Sequence, residues 1–170
     1  MIDAKFRGSA ALRSKPMNKL LVAAALSLSA ACFPLTPAMA ALGGNADSVS
    51  ADNNALRGQL HSTPLVDYTV QQISTGSLVV HEYVTRAGQV FAVTWQGPTP
   101  PDLRQLLGNY FASFHSAAVA SHTANPGIHR HLNVAQSDLI VQAGGRLRDF
   151  HGLAYIPSLV PAGVSVSKLQ

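Results

Sequence analysis

Apolar and polar positions first alternate where Val66, Tyr68 and Val70 are interleaved with Asp67, Thr69 and Gln71. That period of two is what a strand with one buried face requires. A second strand is predicted over residues 78–85, rich in β-branched side chains and mixed on both faces. A third is predicted over residues 90–95, which read Val-Phe-Ala-Val-Thr-Trp. Thr75-Gly76 and Arg86-Ala87-Gly88 supply the turns between them, so the three segments read as an antiparallel meander.

The sheet pattern stops at Gly97-Pro98-Thr99-Pro100-Pro101-Asp102, because proline has no N–H for a ladder and holds the residue before it extended. Leu103, Leu106, Leu107, Tyr110, Phe111, Phe114, Ala117 and Ala118 then recur at three-four spacing, which predicts one long helix with a single apolar face. Thr99 and Asp102 have the spacing of a capping box. Alternatively, since Pro100 precedes a proline, the helix starts at Pro101 and leaves Thr99 outside. Asn125-Pro126-Gly127 stops it. Strand patterning resumes weakly at Leu132 and Val134, then over residues 138–143, with a Gly144-Gly145 turn into residues 147–156.

These elements predict an α+β fold: an antiparallel sheet of about three strands, one long helix and about three more strands, with the helix packed on one face. Residues 41–63 are small and polar, with only Val49, Leu56 and Leu60 as sizeable anchors. Asp47 or Ser48 is placed to cap a short helix ending near Arg57 and Gly58; the plainer expectation is a flexible N-terminal arm. Residues 64–170 are then a single domain.

Charge changes the picture by its distribution. The chain of 170 residues carries a formal charge of +4, but Lys5, Arg7, Arg13, Lys15 and Lys19 face only Asp3 at the N-terminus. From Ala41 onward seven bases balance seven acids. That neutrality removes the electrostatic case for nucleic acid. Residues 20–31 form an apolar run of signal-peptide length, too short to span a bilayer. Pro34 and Pro37 follow, and Ala38-Met39-Ala40 is a small-x-small cleavage site. Residues 1–40 therefore read as a secretory signal cut after Ala40, with Met17 an alternative start, and the mature chain as periplasmic or secreted. Cys32 follows Ser29-Ala30-Ala31, and lipidation there is the minor alternative.

Seven histidines are the first candidates for chemistry. His115 and His122 share a helical face but lie two turns apart, about 10 Å by rise, too far for one ion. His122, His129 and His131 are the set able to converge on a metal, although no Cys or acid joins them in that loop and a solvated His-rich loop is the plainer explanation. His81-Glu82 lacks the second histidine of a zincin motif at position 85, which is Thr. Gly-x-Ser-x-Gly and phosphate-loop patterns are absent, so no catalytic residue and no cofactor is assigned. Tyr68, Tyr83, Phe91, Trp95 and Phe150 are of a kind to line a groove between sheet and helix, or simply to pack. Arg146 and Arg148 alternate onto one side of a strand, as an anion clasp or as solubilising charge.

Glu82-Tyr83-Val84, the run from Val90 to Pro98, Pro101-Asp102-Leu103, Leu106-Leu107-Gly108, and the closing Gly152-x-Ala154-Tyr155-x-Pro157 with Leu159-Val160-Pro161-Ala162-Gly163-Val164 resemble a domain-of-unknown-function family of small exported proteobacterial proteins, Burkholderia-type among them. The resemblance covers nearly all of the mature chain and implies export, one domain and a mature start at Ala41, but no activity. The reading is a non-enzymatic accessory protein that binds an envelope protein or ligand through the sheet face, its edge or the arm. A small His-dependent metal-binding protein or hydrolase is the alternative.

Overall fold

The computed structural model describes residues 42–124 and 131–169. The segment read as a secretory signal, with Cys32, the Asn125-Pro126-Gly127 stop expected from sequence, and His129 lie outside them. Four strands precede the helical segment and three follow it: β1 (Gln59–Pro64), β2 (Tyr68–Ser74), β3 (Val79–Thr85), β4 (Val90–Gly97), β5 (His131–Ala135), β6 (Ile140–Arg146) and β7 (Asp149–Tyr155). They form one antiparallel sheet in the order β1-β2-β3-β4-β7-β6-β5.

This corrects the expected arrangement of about three strands, one long helix and about three strands in two places. Residues 59–63, read as arm, instead join Pro64 in the edge strand β1, every residue of it exposed. With no buried face it carries no alternation for a periodicity argument to detect, and backbone pairing with β2 alone defines it. The long helix is interrupted. It divides into α2 (Leu103–Leu107), a 3₁₀ turn at Gly108–Tyr110 and α3 (Phe111–Ala124). Gly108 sits at φ 48°, ψ −119°, a conformation open chiefly to glycine. The break lets α2 press Leu106 and Leu107 fully into the core, each such burial contributing about 1.5–3 kcal/mol before entropy. Beyond it α3 buries only Phe114, and its Val119 is exposed. Asp102, rather than Thr99, caps α2, its carboxylate accepting from the Arg104 N–H at 2.9 Å; helical geometry begins only after the Pro-Pro pair.

Within residues 41–63 there is also a helix, α1 (Ala46–Leu56), capped by the Asn45 side chain and closed by Arg57 in the left-handed region at φ 53°. Leu42 and Val49 are buried in the core. The Gly43 N–H donates to the Val90 carbonyl at 2.8 Å, and the Val90 N–H to the Gly44 carbonyl at 2.9 Å, so this segment is tied to the sheet by its backbone. Glycine is needed at 58, where a Cβ would stand 2.5 Å from Ile73 Cγ2.

Alternation sorts the sheet into two faces. Ile73, Val80, Val84, Val93, Trp95, Val134, Val141 and Ala154 pack with Val49, Leu106, Leu107 and Phe114 under the helices. On the other face Tyr83, Phe91 and Ala92 are covered by the C-terminal segment through Leu159, Val160, Val164, Val166 and Leu169. A bulge where Tyr83 pairs with Ala92 but Val84 pairs with Val90 turns both Phe91 and Ala92 to that side.

Gly144-Gly145 is not a turn, as expected from its composition. Both residues lie inside β6, and the chain reverses at Leu147-Arg148, with Arg148 at φ 68°. The glycines serve space rather than reversal: a Cβ on Gly145 would be 2.8 Å from the Asp149 carbonyl oxygen, and one on Gly144 would meet two imidazoles.

Candidate functional site

The registers assemble two rows of side chains on the sheet face away from the helices. One runs His61, Gln72, His81, Thr94, Leu153, Gln142, Asn133 across all seven strands. The next contains Gln96, His151, Gly144 and His131 across β4, β7, β6 and β5. The C-terminal segment, through Val166, Ser167 and Leu169, walls one side of these rows and leaves a groove of about 790 Å³, within the size range of small-molecule sites. Among the described residues no Asp, Glu, Lys or Arg lines it. The side chains of Gln96, His131, Asn133, Gln142 and His151 make no hydrogen bond to another protein group among the described residues, so their donors and acceptors face the groove or water. His81 is half-buried, and burial lowers its pKa, keeping the imidazole neutral.

Gly144 is where two imidazoles of this surface come together. His131 Nδ1 lies 3.0 Å and His151 Nε2 3.1 Å from the point a Cβ on Gly144 would occupy. Strands β5 and β7 are not neighbours, so a side chain from β6 would ordinarily stand between their residues. Glycine lets the two rings lean together over the bare strand.

A second set of groups is buried under the helices. Glu82 points into the core from β3 while its neighbour His81 points to the groove, as strand alternation demands. Glu82 and Asp52 of α1 are both 1 % exposed. Gln105 donates from Nε2 to Asp52 Oδ1 at 2.7 Å. Neither Glu82 oxygen nor Asp52 Oδ2 has a donor partner, and two carboxylates offer each other only acceptors. The pair is satisfied when Glu82 keeps its proton and its O–H donates to Asp52. Burial first, then the neighbouring Asp52 charge, pushes the Glu82 pKa up to about 9, and burial also raises that of Asp52. This is a sealed structural pair rather than a site open to substrate.

The histidine set expected from sequence is only partly described. His122 is exposed near the end of α3, His131 opens β5 on the groove face, and His129 lies outside the described residues. Among the described residues no three His, Cys, Asp or Glu side chains form a metal-binding group. Trp95 packs in the helix-side core. Tyr68, Tyr83 and Phe91 form an edge-on cluster, with ring centroids 5.7–6.1 Å apart, under the C-terminal segment rather than between sheet and helix. Arg146 pairs in register with Asp149 at the hairpin end, and Arg148 occupies the turn.

Sequence reasoning passed over His151 and the Asp52–Glu82 pair. The first was within reach: a reversal at Leu147-Arg148 pairs Arg146 with Asp149 and so Gly144 with His151, but the Gly-Gly pair drew the turn to itself. The second had no local signal, because Asp52 and Glu82 belong to elements whose contact depends on how α1 docks.

A family model described as protein of unknown function (DUF2844) matches residues 38–169, in agreement with the resemblance to a domain-of-unknown-function family. No curated protein and no solved structure matches the chain. Among the described residues no helix is long and apolar enough to cross a membrane.

Proposed function

This chain belongs to the DUF2844 family, and we propose that it works as an exported, non-enzymatic binding protein whose groove takes a small, neutral, polar ligand. The observation that carries the reading is the groove itself: hydrogen-bonding side chains on five strands face a walled recess that, among the described residues, contains no ionic side chain. Amides and imidazoles there offer both donors and acceptors. The lack of ionic groups disfavours charged ligands, which would lose hydration without gaining a counter-charge. A hydrolase reading gains little from this arrangement: the one hydroxyl–imidazole contact of the groove among the described residues, Thr94 Oγ1 to His81 Nδ1, is 3.5 Å long, at the limit of a hydrogen bond rather than the close pairing of an activated nucleophile.

The test is a fragment screen by amide chemical shift on the isotopically labelled full chain in the presence of EDTA, using neutral sugars and amides against carboxylates and amines. Neutral fragments are expected to move the amides of Gln96, Asn133, Gln142 and Ser167 together, and Gln142→Ala to weaken the response. Shifts confined to other surfaces, or a preference for charged fragments, would refute the reading.

Export rests on the leader: the apolar run at residues 20–31 and the Ala38-Met39-Ala40 site. The start of the family match at residue 38 supports a boundary there. Protein recovered from the periplasm or medium of an expressing Gram-negative host is expected to begin at Ala41 on N-terminal sequencing. A chain retained in the cytoplasm with residues 1–40 intact would contradict export, and a mature start at Cys32 would convert it to lipid anchoring.

A further inference from the structure

We propose that His131 and His151, leaning from β5 and β7 over Gly144 of β6, form a two-imidazole site for a late first-row divalent transition-metal ion, Cu²⁺ or Zn²⁺. The inference goes beyond the binding of a neutral ligand and does not depend on it.

The geometry is specific to this part of the groove. The nitrogens His131 Nδ1 and His151 Nε2 are 3.0 and 3.1 Å from one point, hence at most 6.1 Å from each other. Two nitrogens sharing an ion at about 2.0–2.1 Å stand roughly 3–4 Å apart. Small rotations of two exposed rings, with open groove above Gly144, close that difference. Any residue other than glycine at 144 would put a methyl or more at the point where the nitrogens converge.

The donor set selects the ion. Neutral imidazole is the commonest protein ligand for zinc and copper, and two nitrogen donors without a carboxylate suit neither Mg²⁺ nor Ca²⁺, which take oxygen. Two imidazoles alone place the affinity below that of structural zinc sites, which have four protein ligands. By the usual order of divalent affinities Cu²⁺ binds more tightly than Zn²⁺. The remaining coordination positions open to the groove, where Asn133 and Gln142 lie one row away, so water or a groove ligand completes the shell.

The experiment is calorimetric titration of CuCl₂, and separately ZnCl₂, into untagged full-length chain stripped with EDTA. One ion per chain is expected, with copper the tighter. His131→Ala and His151→Ala should each weaken copper binding at least tenfold, while His61→Ala, on the same face but on β1, leaves it unchanged. Gly144→Ala removes no ligand and is expected to weaken binding by a similar factor. Circular dichroism shows whether each variant retains its fold, and the two histidine variants, altered at exposed positions, carry the test if Gly144→Ala does not fold. Pulsed electron paramagnetic resonance of the copper form should show two coordinated imidazoles, reduced to one in either histidine variant. Absence of copper binding at about 100 μM, weaker than roughly −5.5 kcal/mol, or binding undiminished in the double variant His131→Ala/His151→Ala, would overturn the site. Because the fragment screen is run in EDTA, loss of the metal site and failure of the neutral-ligand groove are read separately.

Discussion

From about pH 7 to pH 9 the protein is expected to lose stability steadily, on the order of 1.4 kcal/mol for each pH unit, through Glu82. Its carboxyl is held up to about 9 in the fold by burial and by the Asp52 charge, against an ordinary value of 4.5 when the chain unfolds. Between those values the folded protein binds one proton that the unfolded chain has released. The slope of stability with pH is therefore negative across the window, and it flattens above about 9, where both states are ionised. His81 acts in the opposite sense at lower pH. Its pKa is lowered by burial, so protonation below the ordinary histidine range favours the unfolded chain. His81 therefore offsets part of the Glu82 slope below the ordinary histidine range, and the full fall is seen above it.

Glu82→Gln separates this account from a general alkaline effect. The amide keeps the shape, can donate to Asp52, and carries no titration. Its stability profile is expected to lack this fall between about pH 7 and 8.5, and at pH 8.5 it should exceed the parent, whose loss is on the order of 1.4 kcal/mol per pH unit. Urea denaturation at several pH values checks both statements. A parent protein as stable at pH 8.5 as at pH 7 would remove the shared proton from the explanation.

The second large effect is expected at Gly152, in the middle of β7. A Cβ there would lie 2.1 Å from Cζ2 and 2.5 Å from Cε2 of Trp95, its cross-strand partner in the β4–β7 register. Trp95 is 4 % exposed and packed among core residues, so the ring has nowhere to swing. Gly152→Val should therefore force the ring or the strands apart and cost at least about 3 kcal/mol, at or above the upper end of ordinary overpacking, while Trp95→Ala alone should cost about 3–5 kcal/mol by leaving a cavity. The two changes should not add: with the ring gone, valine at 152 partly fills the space, and the double variant is expected to be more stable than Trp95→Ala. Thermal or urea denaturation of the three variants completes the cycle. Strict additivity would show that the contact across β4 and β7 is not what requires the glycine.

Tryptophan and glycine here illustrate how far local pattern reached. Trp95 was legible as the end of an apolar strand, yet the reason for a glycine at 152 is this ring, on the neighbouring strand 57 positions earlier in the chain. Gly144 and Gly145 were read through the usual role of paired glycines in turns, whereas side chains and backbone on adjoining strands occupy the space their Cβ atoms would need. Gly108 shows the converse: it falls within an apolar repeat regular enough to suggest one helix, and the break there was decided by how Leu106 and Leu107 reach the core.

Local chemistry by itself determined where strands β2, β3 and β4 lie, where prolines end them, that a helical segment follows with its apolar face at three-four spacing, and that the bases before residue 20 leave a neutral remainder. These follow from sterics and periodicity acting over a few residues. Only the tertiary structure decided that β7 lies beside β4, that β1 adds an edge, that His131 and His151 meet over Gly144, and that Asp52 comes to rest on Glu82. Those contacts join segments far apart in the chain. They are selected by which faces can be buried together, a condition on the whole sheet that no short stretch expresses.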